Sequence, residues 1–218
     1  MRIPFFTKRP EPPQFYKDYA VLFTGFEEPA IEDARFVVFD TETTGIHKQT
    51  DRMLSLGAVE LQGNRINLSN SLELYVEQQV FNKEAVAIHG ILKENSKYQK
   101  ISEEEAVKQF LSYIGNSVLV GHHIGFDVGI INYALKRLGA PKLKNRTIDT
   151  GVLFKRTVHL VNITNPDKVY SLDELCEELN IARTDRHKAI GDAYITALAF
   201  LKILNRLKKP KRLKDLTR

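Results

Sequence analysis

The chain has 218 residues, 43% of them apolar, which suits one medium domain with a sizeable core rather than two full domains. No stretch approaches 18 uncharged apolar residues, which argues against a transmembrane helix, and the basic start MRIPFFTKRPEPPQF lacks the apolar segment of a secretory signal. A lone cysteine, Cys176, excludes an internal disulfide framework and a multi-cysteine zinc site, leaving a cytoplasmic protein of net charge +5 without membrane contact as the expectation.

Residues 1–34 hold five of the eight prolines and no sustained periodicity, so an irregular N-terminal arm is expected there, with a short helix near residues 14–23. Residues 35–207 are expected to form the main domain. Strand-like runs follow at 36–40, 53–62 and 65–76, the last two joined by the hairpin signal Gly63-Asn64. A short helix is predicted over 83–88, and Ser102 with Glu105 reads as a capping box opening a helix to about residue 114. A buried strand at 117–121 precedes an amphipathic helix at 126–138, ended by Gly139 and Pro141. A further strand at 146–149 leads into a helical turn to about 156, and residues 159–170 read as an exposed loop. Ser171 with Glu174 is a second capping box, for a helix to about 179, and the last long helix is predicted over 187–207. From 202 to 218 eight basic residues stand against one acid, whereas the first 201 residues hold 24 basic and 26 acidic groups. The segment 208–218 is therefore set apart as a basic tail, suited to a polyanion by counterion release or simply to solvation of a frayed helix end. Strands paired first as a hairpin and then alternating with helices indicate an α/β domain with a mixed, five-stranded sheet flanked by helices.

Three segments carry polar groups where apolar ones would be expected. FVVFDTETTG (36–45) breaks an apolar run with Asp40 and Glu42, which share a face because residues two apart on a strand point the same way. Two adjacent carboxylates repel one another, and a hard divalent cation with a preference for oxygen ligands resolves that cost. Acids exposed in a turn before Gly45 are the plainer alternative. VGHHIGFDVGII (120–131) places Asp127 at a helix start, where an acid also serves as a cap. RHKAIGDAYITA (186–197) sets His187 five residues before Asp192, with Ala189 and Ala193 small enough for another backbone to come close; an ordinary surface helix fits this segment alone. A zinc cluster on His122, His123 and Asp127 lacks a third nitrogen or sulfur ligand at suitable spacing.

Together the segments FDTETTG (39–45), HHIGFD (122–127) and HKAIGD (187–192) resemble the DEDDh (DnaQ-like) family of 3′–5′ exonucleases, the group that contains the proofreading epsilon subunit of bacterial replicative polymerase. AIHGI (87–91), IDT (148–150) and SLDELCEELNI (171–181) are similar to ancillary stretches of that family, and the likeness spans roughly 34–204. Lys188 occupies the position where the tyrosine branch has its tyrosine, so His187 fits the histidine branch; His123 departs from the asparagine common after the first histidine. The resemblance implies a ribonuclease H-like fold and two Mg²⁺ or Mn²⁺ ions held by Asp40, Glu42, Asp127 and Asp192. Asp40 would bridge the ions, Glu42 and Asp192 would complete one site, Asp127 would hold the other, and His187 would be the general base. It further implies that Thr41, Thr44, Gly45, Ile88, His89 and Phe126 contact the terminal nucleotide, although core packing accounts equally for Ile88 and Phe126. The partner implied is a single-stranded nucleic-acid 3′ end, DNA before RNA, with a polymerase subunit as a further candidate. RNA 3′-end trimming and a non-catalytic nucleic-acid-binding scaffold are the rival readings; the scaffold would lack one of the five groups, and all five are present. A basic end in place of a long docking extension favours a stand-alone enzyme.

Overall fold

The run FVVF is buried on both faces because it lies at the centre of a six-stranded sheet. The computed structural model describes residues 11–79, 98–158, 167–207, 210 and 212–216. Its strands are β1 (Arg35–Thr43), β2 (Met53–Gln62), β3 (Arg65–Val76), β4 (Lys100–Ile101), β5 (Val118–Gly121) and β6 (Thr147–Asp149), in the order β4-β3-β2-β1-β5-β6. Antiparallel pairing joins β1 to β2 and β2 to β3, while β5 runs parallel to β1 and β6 parallel to β5. The mixed α/β sheet agrees with expectation, but it has six strands rather than five. The extra one, β4, consists of two residues facing Tyr75 and Val76, too short to leave any period-2 pattern in the sequence.

Alternation along β1 builds two cores. Val37 and Phe39 face one layer, where Phe39 packs on Phe110 at 5.0 Å between ring centroids. Phe36 and Val38 face the other, where Phe36 meets Phe200 edge-on at 5.2 Å. Fully burying a side chain of this kind contributes roughly 1.5–3 kcal/mol. The first layer holds α1 (Gln14–Val21), α2 (Glu103–Ile114) and α3 (Gly125–Arg137); the second holds α4 (Thr150–Lys155) and α6 (Ala189–Arg206), with α5 (Leu172–Leu179) against α6.

Local signals explain several helix starts. Ser102 accepts from the Glu105 N–H, and Ser171 with Glu174 makes both halves of its capping box. The last helix begins at Ala189 rather than 187, because His187 has φ 62° and Lys188 is extended, neither compatible with a helical turn. The helix predicted over 83–88 lies outside the described residues. Within the arm, α1 buries Tyr16 and Tyr19, whose hydroxyls donate to Lys142 O at 2.7 Å and Asn145 Oδ1 at 2.5 Å. Within the segment set apart as a basic tail, Leu213 and Leu216 are buried in the second core, Arg212 bridges Ala30, and Asp215 O accepts from Arg156 at 2.6 Å. No helix among the described residues is long and apolar enough to cross a membrane.

Candidate active site

The parallel strands β1, β5 and β6 all end on one side of the sheet, the side where open α/β sheets bind ligands. Period-2 alternation continues past Phe39, so Asp40 and Glu42 emerge on the α6 side and Thr41 on the side of α3. One glycine then lets α6 come close. Gly57 on β2 pairs with Asp40, and a Cβ built on it would lie 2.1 Å from Ile190 N and 2.3 Å from Ala189 C. Helix backbone therefore sits directly on strand backbone, as the small Ala189 and Ala193 suggest, and Asp192 in the first turn of α6 is brought to Asp40 and Glu42. One carboxylate oxygen from each of these three residues lies within 4.8 Å of the others.

Asp127, in the first turn of α3, stands outside that trio and is buried. Its Oδ1 accepts from Thr41 N at 3.0 Å and Thr41 Oγ1 at 2.6 Å, which anchors it to β1 from the opposite face. Burial pushes the Asp127 carboxyl up to about 7, against the pull of the Thr41 donors. Burial also pushes Glu42 up to about 7, reinforced by Asp192 and Asp127. Asp40 is held well above the carboxylate range by burial and then by Asp127, Asp192 and Glu42, with Arg186 as the opposing cation. Among the described residues, four carboxylates thus face one guanidinium, an excess of negative charge in an all-oxygen donor set. Such a set fits a hard divalent cation and gives a soft or nitrogen-seeking metal little reason to bind. Asp40, Glu42 and Asp192 form the group able to hold it.

His187 is exposed on the turn before α6, with its backbone N–H donating to Asp192 Oδ2 at 3.2 Å. Gly191 makes that turn possible, since a Cβ there would lie 2.1 Å from Asp185 O. Arg186 Nε donates to Asp173 Oδ1 at 2.8 Å, and its Nη1 forms an ion pair with Asp192 Oδ1. That oxygen is buried, and opposite charge holds the contact.

The second motif is braced from below. His122 Nε2 faces Tyr170 O at 2.8 Å and Nδ1 faces Thr150 Oγ1 at 3.0 Å. A carbonyl only accepts, so Nε2 carries the proton, and burial with the neighbouring His123 lowers the ring to about 4. Asp149 accepts from Ile124 N, Gly151 N and Val152 N, tying the HHIGFD turn to the start of α4. His123 is exposed with φ 55°, a left-handed conformation that asparagine and histidine both adopt more readily than most residues.

Several predicted nucleotide contacts already have protein partners. Thr41 holds Asp127, and Thr44 Oγ1 donates to Asp51 Oδ1 at 2.9 Å while accepting from Arg52 N at 3.0 Å. Gly45 lies so close to Asp51 that a Cβ would sit 2.7 Å from its Oδ2. Phe126 is half-buried against the first core. Ile88 and His89 lie outside the described residues. Two positions that shape the site, Gly57 and Arg186, were given no role from sequence, and Asp149 only as part of the IDT stretch; the one advance signal for Gly57 was a glycine inside a strand pattern, which marks close backbone approach.

Comparison with known proteins agrees with this geometry. The family model described as Exonuclease matches residues 37–200, and the chain belongs to that family. The DNA polymerase III PolC-type protein of Thermotoga maritima is 31% identical over 183 residues, covering 84% of this chain and 13% of the polymerase. That of Clostridium perfringens is 32% identical over 178 residues, 81% of this chain and 12% of the polymerase. The chain thus spans about an eighth of the length of these relatives. A structure of exonuclease I superimposes with a TM-score of 0.68 at 18% identity, over 84% of this chain and 42% of that one. E. coli exonuclease I in complex with a dT13 oligonucleotide gives 0.66 at 18%, over 79% and 41%. The ribonuclease H-like architecture and the DnaQ-like 3′–5′ exonuclease resemblance are both borne out.

Proposed function

We propose that the chain is a metal-dependent 3′–5′ exonuclease of the histidine-containing DEDD type, hydrolysing single-stranded or frayed DNA, and RNA less readily, to nucleoside monophosphates. The observation that carries this reading is the convergence of Asp40, Glu42 and Asp192 from two elements, with Asp127 behind them, whose charge Arg186 offsets only in part. Two Mg²⁺ or Mn²⁺ ions bound there would neutralise charge on the attacking and leaving oxygens of an in-line displacement at phosphorus. The chain's own residues do the rest. Thr41 holds Asp127 in place, the backbone N–H of His187 orients Asp192, and the exposed His187 imidazole would accept the proton of the attacking water. In this reading Thr41, Thr44, Gly45 and Phe126 would contact the terminal nucleotide, as would Ile88 and His89 on the strength of the family resemblance alone. The neighbour solved with a dT13 oligonucleotide supports a single-stranded DNA substrate, and the PolC-type relatives favour a second reading in which the domain proofreads within a polymerase assembly. A cytoplasmic location suits either.

The test is digestion of matched 3′-labelled DNA and RNA oligomers with Mg²⁺ or Mn²⁺. Release of monophosphates from the 3′ end, faster on DNA, is expected, with hydrolysis abolished by EDTA and by Asp40→Asn or Asp192→Asn in folded protein. Full activity in EDTA, or in either variant, overturns the proposal.

A further inference from the structure

We infer that Arg186 is a built-in counter-ion of the carboxylate cage, which a divalent cation must displace from Asp192 on binding. The inference rests on the metal-dependent reading above and concerns how that site is kept ready. Both oxygens of Asp192 are engaged: Oδ2 by the His187 N–H, and Oδ1 by Arg186 Nη1. A cation seated among Asp40, Glu42 and Asp192 must therefore take an oxygen already in use. The two contacts are not equally firm. The His187 bond is a backbone contact fixed by the turn over Gly191, whereas the Arg186 contact is an ion pair made by the end of a long side chain. A second positive charge beside Asp192 removes the reason for that ion pair, and like charges repel.

Arg186 is also able to move without leaving. Its Nε remains bonded to Asp173 on α5, at 2.8 Å, so the guanidinium is hinged at an anchor outside the cage. Only 17% of its side chain is exposed, and it is the cation that offsets the mutual repulsion felt by both Asp40 and Glu42. In the metal-free protein this charge keeps four buried or half-buried acids together; in the metal-bound protein it is redundant. Arg186 is accordingly a positioning residue that trades metal affinity for the integrity of the empty site.

The opposite assignment makes a contrary prediction. Were Arg186 an ordinary outer partner that orients a metal ligand, removing it would weaken metal binding by about 10–100-fold. Displacement predicts that Arg186→Gln binds Mn²⁺ about tenfold tighter than wild type, with a lower metal-free melting temperature and a larger rise on adding metal. Arg186→Lys, which keeps the charge, should bind Mn²⁺ like wild type. Mn²⁺ affinity is read by electron paramagnetic resonance of the free ion, without substrate. In wild-type protein, Mg²⁺ should remove solvent-exchange protection from the Arg186 Nη hydrogens while the Nε hydrogen stays protected, as seen by nitrogen-15 NMR of arginine side chains; this needs no variant to fold. Equal or weaker Mn²⁺ binding by Arg186→Gln, or Nη hydrogens still protected at saturating Mg²⁺, overturns the inference and leaves the exonuclease reading standing. Wild-type protein that binds no Mn²⁺ and hydrolyses no oligomer sinks both.

Discussion

Replacing Gly57 with alanine adds one methyl group to a strand that carries no catalytic side chain, and it should still disable the site. The new Cβ would lie 2.1 Å from Ile190 N, 2.3 Å from Ala189 C and 2.3 Å from Ile190 Cα. Cβ contacts below 3.0 Å are essentially never tolerated, so the first turn of α6 must retreat by about 0.9 Å from β2. Asp192 rides on that turn, and Asp40 is the residue directly paired with Gly57. A misplacement near 1 Å in a reacting geometry costs about 10²-fold in rate, while overpacking of this kind destabilises by roughly 1–3 kcal/mol. Initial rates on a 3′-labelled oligonucleotide at saturating Mg²⁺, with thermal melts on the same samples, would show a folded protein of lowered stability and about a hundredfold lower rate. Trimming Ala189 to glycine should not rescue it, because the opposing atoms are backbone. A Gly57→Ala protein with wild-type rate and melting temperature would refute the close-approach argument.

The raised carboxyls make metal-free stability depend on pH. Glu42 and Asp127 both stand at about 7, above their ordinary values, so each favours the folded state while protonated, and stability should fall as pH climbs from about 4 to 7. Saturating Mg²⁺ should flatten that decline; melting curves with equal slopes with and without Mg²⁺ would contradict it. Thr41→Val keeps the backbone bond to Asp127 but deletes the 2.6 Å hydroxyl bond, leaving a buried carboxyl short of a donor. A stability loss of about 1.5–3 kcal/mol is expected in urea unfolding, and a variant as stable as wild type would show that bond to be dispensable.

The site was legible in unequal parts. Asp40 and Glu42 could be placed on one face from the two-residue period of a strand, and Asp127 and Asp192 in the first turns of their helices, because these are local properties. The motif order 39–45, 122–127 and 187–192 then pointed to a shared site. Arg186 escaped notice because nothing local distinguishes it from other basic residues of the chain; its role exists only once α5 and α6 present Asp173 and Asp192 on either side of it. Thr41 and Thr44 were expected to contact the nucleotide on the family resemblance, and the fold adds carboxylate partners, Asp127 and Asp51, that no spacing announced. β4 was missed for a simpler reason, since two residues cannot show a period.

What the sequence determined by itself, then, is the chemistry on offer: four carboxylates and an imidazole at the ends of local elements whose periodicity and caps are written into neighbouring residues. Tertiary structure alone decided how those groups meet. The backbone contact at Gly57 sets the distance from Asp192 to Asp40, the turn over Gly191 turns the His187 N–H onto Asp192, and Leu213 and Leu216 anchor part of a segment whose charge suggested a free tail. Apart from the His187 turn, these are contacts between residues far apart in the chain, governed by steric exclusion and burial rather than by local pattern, and they become visible only when the chain is folded.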